Sequence, residues 1–272
     1  MGEITLIPVG GLANRIRVIE SGIRLSKETN SRLKVIWYKD NGIGCRFEKL
    51  FRPFDDDMIE IKEASCKDFI YDRPRLKNLY FPYITEKLLF DHCIYEKQSC
   101  FNNEDIDYKT IAKNKKIYIA TFMPFYLNTD KDYYHLFKPI PEIQMQIKKI
   151  SGNFPENIIG IQIRRGDNWV SMKLSPTDLF IEKMNQEKDA AFYLATDSDE
   201  EKEKLAQLFG KRILFLNNTA DRTTEKGIQE ALVEMFLLSK TKKIYGSVHS
   251  SFGQIASRIG KNEFELLSIK KD

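Results

Sequence analysis

An α/β fold in two halves is what the sequence predicts, and three observations carry it. The chain opens on an apolar run, "EITLIPV" (3–9), that passes through "GGLANR" into a helical pattern and then a second apolar run. From residue 158 onward, four short apolar runs alternate with helical patterns. Between these regions lies "IPEIQMQIKKISGNFPEN" (140–157), a helix ending in Ser, Gly, Asn and Pro, which suits a joint between halves. Strand and helix alternating in this way make parallel sheets with right-handed crossovers. The reading is therefore two Rossmann-like halves facing a cleft, 1–150 and 151–272, the second a parallel sheet with helices on both faces.

The elements follow in order. Strand 3–9 leads to a glycine turn, a helix over 13–27 and a strand at "LKVIWY" (33–38). The middle is harder to read: a short helix at "CRFEKLF", strands at "MIEIKE" and "KKIYIA" (115–120), and aromatic, proline-broken stretches between them. The second half has strands at 158–164, 191–196, 212–216 and 242–247. Helices are expected at "SPTD" (175–178), where Ser175 can cap and Pro176 suits the first helical position, and at 198–209, 225–238 and 250–260.

Composition narrows the function. Net charge is +4, from 43 basic and 39 acidic residues. That suits an anionic ligand, or weak peripheral association with an anionic membrane surface, without demanding nucleic acid. The basic clusters "RIR", "IRR" and "KTKK" fall on different expected elements, so no nucleic-acid partner is expected. Nothing reads as a signal peptide or membrane span, and four irregularly spaced cysteines suit a reduced, cytoplasmic setting. Three scattered histidines offer no metal-ligand spacing, so no metal and no cofactor is expected.

In open α/β sheets ligands bind beyond the carboxyl ends of the strands, so residues there are the candidates. After the first strand, Gly10 and Gly11 let backbone approach a ligand and Asn14 offers an amide at a helix start; a plain tight turn explains the glycines equally. After the strand at 158, "RRGDN" sends Arg164 and Arg165 to opposite sides. One can reach a phosphate, for which the planar guanidinium fork is well suited, while the other meets solvent or Asp167. The plain alternative is an Arg–Asp lock on the turn. Asp197-Ser198-Asp199 has the spacing of a metal site, but helix capping by Ser198 or Asp197 is the stronger reading. Ser250 and Ser251 open a helix and can hold an anion or simply cap it. Glu234 sits among apolar neighbours, as an edge-of-core residue or as an acceptor for a guanine-type N–H pair. Trp37, Tyr38, Phe122, Phe125 and Trp169 could stack on sugar rings, though core packing suits most of them. A diphosphate gripped at these strand ends, as in a nucleotide sugar, accounts for the set together.

"IGIQIRRGDN", "FYLATDS", "DRTTEKGIQEALVEMFLLSK" and "IYGSVHSSFGQIA" resemble, in that order, the shared motifs of the α1,2-, α1,6- and protein-O-fucosyltransferase superfamily, nodulation-type bacterial enzymes included. "GGLANRIR" resembles its N-terminal Gly-x-x-Asn-Gln/Arg loop. The resemblance covers 1–38 and 158–260. It implies a GT-B-like fold and a metal-independent, inverting transfer of fucose from GDP-fucose to a glycan acceptor, in the building of cell-surface glycans. By position, Arg164 would bind the β-phosphate and Asp167 would stand beside it at the catalytic centre. Asp197 and Glu234 would serve the nucleotide, Ser250 and Ser251 the diphosphate, and Gly10, Gly11 and Asn14 the loop of the other half. Gln162 stands where many relatives have histidine. Met172 stands where the α1,6-type enzymes have a base-like glutamate, which leaves the general base unassigned. A GT-B transferase for another nucleotide sugar and a non-catalytic nucleotide-binding protein are the alternatives.

Overall fold

The computed structural model describes residues 1–71, 80–96, 106–127, 131–166, 168–218 and 221–269; Asp167 and Cys100 lie outside these. The chain forms two compact units, Met1–Ile140 and Pro141–Asp272.

The first unit is a parallel five-stranded sheet. Its elements are β1 (Glu3–Pro8), α1 (Leu12–Thr29), β2 (Arg32–Trp37), β3 (Ile59–Glu63), α2 (Tyr80–Leu89), β4 (His92–Ile94), α3 (Tyr108–Ala112) and β5 (Lys116–Thr121). The spatial order is β3-β2-β1-β5-β4, with β1 paired in parallel to both β2 and β5. Ile4 and Leu6 are fully buried in consequence, as the near-continuous apolar run of a central parallel strand requires. Ile7, Val9, Ile36, Tyr38, Tyr118 and Ala120 make one core, with Tyr71, Phe90 and Tyr95 packed onto it. "CRFEKLF" yields only a short 3₁₀ turn, Phe47–Lys49. The proline-containing α2, the strand β4 and the helix α3 were not legible in the aromatic, irregular middle.

The second unit contains α4 (Pro141–Ser151), β6 (Ile158–Ile163), α5 (Trp169–Leu174), α6 (Thr177–Gln186), β7 (Ala191–Thr196), α7 (Asp199–Phe209), β8 (Ile213–Phe215), α8 (Glu225–Leu238), β9 (Lys243–Ser247), α9 (Ser251–Gly260) and β10 (Glu263–Leu267). All five strands are parallel, in the order β10-β9-β6-β7-β8, the Rossmann arrangement. Ile159, Ile161 and Ile163 of β6 pack with Phe180 and Met184 of α6 and Leu205 and Phe209 of α7. On the other face, Gly160 lies against Leu238 of α8, and Gly253 of α9 lies against Gln162. Helices thus cover both faces.

The helix read as a joint, now α4, falls in the second compact unit, which begins at Pro141. One expectation needs correcting. Ser175 does not cap α6: Pro176 is its N-cap, while the Ser175 hydroxyl donates to Leu267 O (2.6 Å) and accepts from Val248 N (3.0 Å). The serine is used to tie β10 and the exit of β9 together, a long-range demand that overrides its local capping preference. Among the described residues no helix is long and apolar enough to cross a membrane.

Candidate functional site

In the second unit the order of connection reverses between β6 and β9, and the residues leaving these two strands meet there. The Arg164 backbone N–H donates to Ser247 Oγ (3.1 Å), joining the two exits directly. The Arg164 guanidinium donates through Nη1 to Asp197 Oδ2, and the other Asp197 oxygen accepts the Arg165 N–H (2.7 Å). Asp197, which follows β7, therefore clasps both the side chain and the backbone of the arginine pair. Gly166 makes this approach feasible. Its φ is +33°, and a Cβ there would stand 2.5 Å from Asp197 Oδ2.

Arg165 turns the other way, but not to solvent. It is buried and donates to Glu201 Oε1 (2.7 Å), Thr177 Oγ1 (2.7 Å) and the carbonyls of Arg164 and Ser175. It is a bolt between α6 and α7, so Arg164 is the partly exposed arginine of the two. Among the described residues, Asp197 and Glu201 both fasten this turn.

Ser198 and Asp199 of the Asp-x-Asp stretch are also committed. Ser198 caps α7 by accepting the Glu201 N–H, and Asp199 pairs with Lys202 at 3.0 Å. Across the switch point His249 takes a left-handed backbone (φ 53°) and leads into Ser250, the N-cap of α9. Ser250 is extended, nearly buried, and makes no side-chain capping bond; Ser251 starts the helix, half-buried. The first N–H groups of an α-helix lack intrahelical partners, and here they begin beside the strand exits that hold Arg164. A short helix, α5, spans the two exits. Its N-cap Asn168 accepts the Ser171 N–H (3.0 Å) and donates to His249 O (3.0 Å).

Glu234 of α8 is buried beside Lys202 and Asn218. Burial pushes its carboxyl up to about 8, against the pull of Lys202 and a hydrogen bond from Asn218. Its Oε1 and the nearby Tyr193 hydroxyl are buried without hydrogen-bond partners among the described residues. The folded state keeps the proton while the unfolded chain, near 4.5, gives it up. Stability is therefore full below the unfolded value and falls as pH rises toward the folded one, by at most about 1.4 kcal/mol per pH unit. Glu234→Gln should flatten that decline, so that in denaturant titrations at about pH 5 and about pH 8.5 the variant gains on wild type at the higher pH. An unchanged difference between the two would refute it.

In the first unit the candidate turn follows β1. Gly10 has φ +87°, and a Cβ there would meet Asn14 Nδ2 at 2.9 Å, so glycine is needed for backbone and space alike. Gly11 is the N-cap of α1 in ordinary extended conformation, and Asn14 is half-buried on its first turn. The residue that sequence reasoning passed over is Arg15. Wholly buried, it donates to Gly10 O (2.8 Å), Tyr38 O (2.6 Å) and Asp40 Oδ2 (2.8 Å), and its guanidinium lies over the Trp37 ring at 4.8 Å. Burial draws it down to about 10, opposed by Asp40. A cation flanked by Leu12, Ala13 and Ile16 on an apolar helix face was the available signal.

No protein-family model matches the chain, and no curated protein matches its sequence. Solved structures do match it. NodZ α1,6-fucosyltransferase soaked with GDP-fucose gives a TM-score of 0.62 at 14% identity, covering 95% of this chain and 92% of that one. The fucosyltransferase NodZ from Bradyrhizobium gives 0.61 at 15%, with 94% and 91% covered. A point mutant of Arabidopsis thaliana FUT1 in complex with GDP gives 0.63 at 18%, with 97% and 70% covered. POFUT1 in complex with GDP gives 0.54 at 11%, with 98% of each chain covered. At these identities the likeness speaks for architecture, and it bears out the expectation drawn from the motifs: this chain has the GT-B fold of the fucosyltransferases it resembles.

Proposed function

We propose that the chain is a metal-independent, inverting glycosyltransferase that moves fucose from GDP-fucose to a hydroxyl of a glycan. The observation that carries this reading is Arg164, fastened by Asp197 at the exits of the two central strands and beside the open start of α9. A diphosphate would take the guanidinium on one side and the first-turn N–H groups with Ser250 and Ser251 on the other. The structures of similar fold that were determined with GDP or GDP-fucose support guanine as the base. The buried cluster around Glu234 is the polar group available to the nucleoside.

In the reaction, the acceptor oxygen forms a bond to the anomeric carbon while the bond from that carbon to the β-phosphate oxygen breaks. GDP departs with the electron pair and the hydroxyl proton passes to the surroundings. Charge grows on the β-phosphate as this happens, and a donor already in place stabilises it without reorganising. The first unit is assigned to the acceptor side, and its Gly10-Gly11-Asn14 turn to the nucleotide sugar. The proton acceptor has no assigned residue.

GDP at about 100 times its dissociation constant should stabilise the protein by roughly 2.7 kcal/mol, read as a rise in Tm. GDP-fucose should act similarly, UDP should not, and EDTA should change nothing. A protein that UDP stabilises, or that needs a divalent cation to respond to GDP, would contradict the proposal.

A further inference from the structure

Of the aromatics that could face a sugar, four are committed elsewhere. Trp37 and Tyr38 are buried in the first unit, and Phe122 and Phe125 are half-buried there. Trp169 is different: at 70% exposure it is the first residue of α5, with Met172 one turn on at 45%. Residues three apart share a helix face, so the indole and the thioether form one small apolar patch.

Its support is rigid. Asn168 reaches His249 O at one exit, its N–H reaches Arg165 O (3.0 Å), and the Ser171 hydroxyl reaches Arg164 O (3.5 Å) at the other. The Trp169 indole is exposed on a helix that is tied to the strand exits carrying Arg164. The patch is two side chains wide, far below the several hundred Å² (roughly 300–600) of a macromolecular contact surface. Around it lie polar and basic groups, Asn168, Lys173 and His249, the last two exposed. A pyranose matches this pairing, since one face of its ring is C–H and its rim is hydroxyl.

Resting on the transferase reading above, we propose that Trp169, with Met172, is the platform on which the sugar ring of the acceptor glycan stacks. It is a specificity-determining residue that positions the attacking hydroxyl over the site of Arg164.

The sequence contains two tryptophans and the other, Trp37, is fully buried, so solvent-exposed indole emission reports Trp169. The probes are methyl glycosides of galactose, N-acetylglucosamine and mannose at high concentration, added to wild type saturated with GDP. At least one should shift the emission to the blue. Trp169→Ala should abolish that response and raise the KM for the same glycoside about tenfold, against a smaller change in kcat. Trp169→Phe should recover part of the loss. Thermal stabilisation of both variants by GDP reports that fold and donor site persist. If GDP binds and none of the three glycosides moves the emission, the platform is refuted while the transferase reading stands. The same holds if GDP-fucose moves it and GDP does not, because the indole then faces the donor sugar. If GDP itself fails to stabilise the protein, the transferase reading falls and the platform with it.

Discussion

Arg164→Ala should lower fucose transfer by about 10²–10³ in kcat, the usual cost of removing one preorganised donor from a developing oxyanion. The reason is positional. The guanidinium is held by Asp197, and on the transferase reading proposed above the alanine variant loses a contact that tightens as charge accumulates on the leaving diphosphate. Arg164→Lys should recover little, because a point-charge ammonium cannot hold the carboxylate and a phosphate in one planar fork. The fold should survive both changes, since Arg165 keeps its hold on Glu201 and Asp197 keeps the Arg165 N–H. Steady-state kinetics with GDP-fucose, alongside thermal melting, separates the two effects. An alanine variant that loses less than about tenfold in kcat would remove Arg164 from the chemistry.

The second large effect is on stability. Arg15→Ala should cost about 3–5 kcal/mol, the range for removing one partner of a buried ionic contact. Three acceptors lose their donor at once, two of them main-chain carbonyls that hold the Gly10 turn and the end of β2 in place, and the Trp37 ring loses its cover. Arg15→Lys should recover only part, as a single ammonium on a shorter reach cannot serve Gly10, Tyr38 and Asp40 together. Denaturant unfolding measures this, and a loss under about 1 kcal/mol would mean that the turn is held by other contacts.

These two arginines show where sequence reading succeeded and where it stopped. The second unit was legible because its strands are fully buried and apolar and its helices amphipathic: β7 and α8 fall on the expected residues, 191–196 and 225–238. β10 was missed although Glu263-Phe264-Glu265-Leu266 alternates, because an edge strand of five residues gives little pattern. α5 was missed because it is one and a half turns held by side-chain bonds to distant strands, which no local propensity encodes. Arg164 stood out as a cation behind a buried strand. Its clasp by Asp197 could not be foreseen from a helix-capping motif, nor could the commitment of Arg165 to Glu201, since both pairings join residues far apart in the chain. Within the "GGLANR" loop the glycines and Asn14 drew notice, yet Arg15 holds the loop, and only the third dimension brings Tyr38 and Asp40 to it.

β6 lies at the middle of its sheet, laddered to β7 along its whole length and to β9 over Gly160–Gln162. A strand with neighbours on both sides has no edge from which to peel, so its amides open only with the unit as a whole. Arg164 hangs from the end of that strand, as on a keystone, with its N–H held by Ser247 Oγ. The strand is thus the fixed frame of the unit, and the loops and helix starts attached to its end are the parts with freedom to move against it.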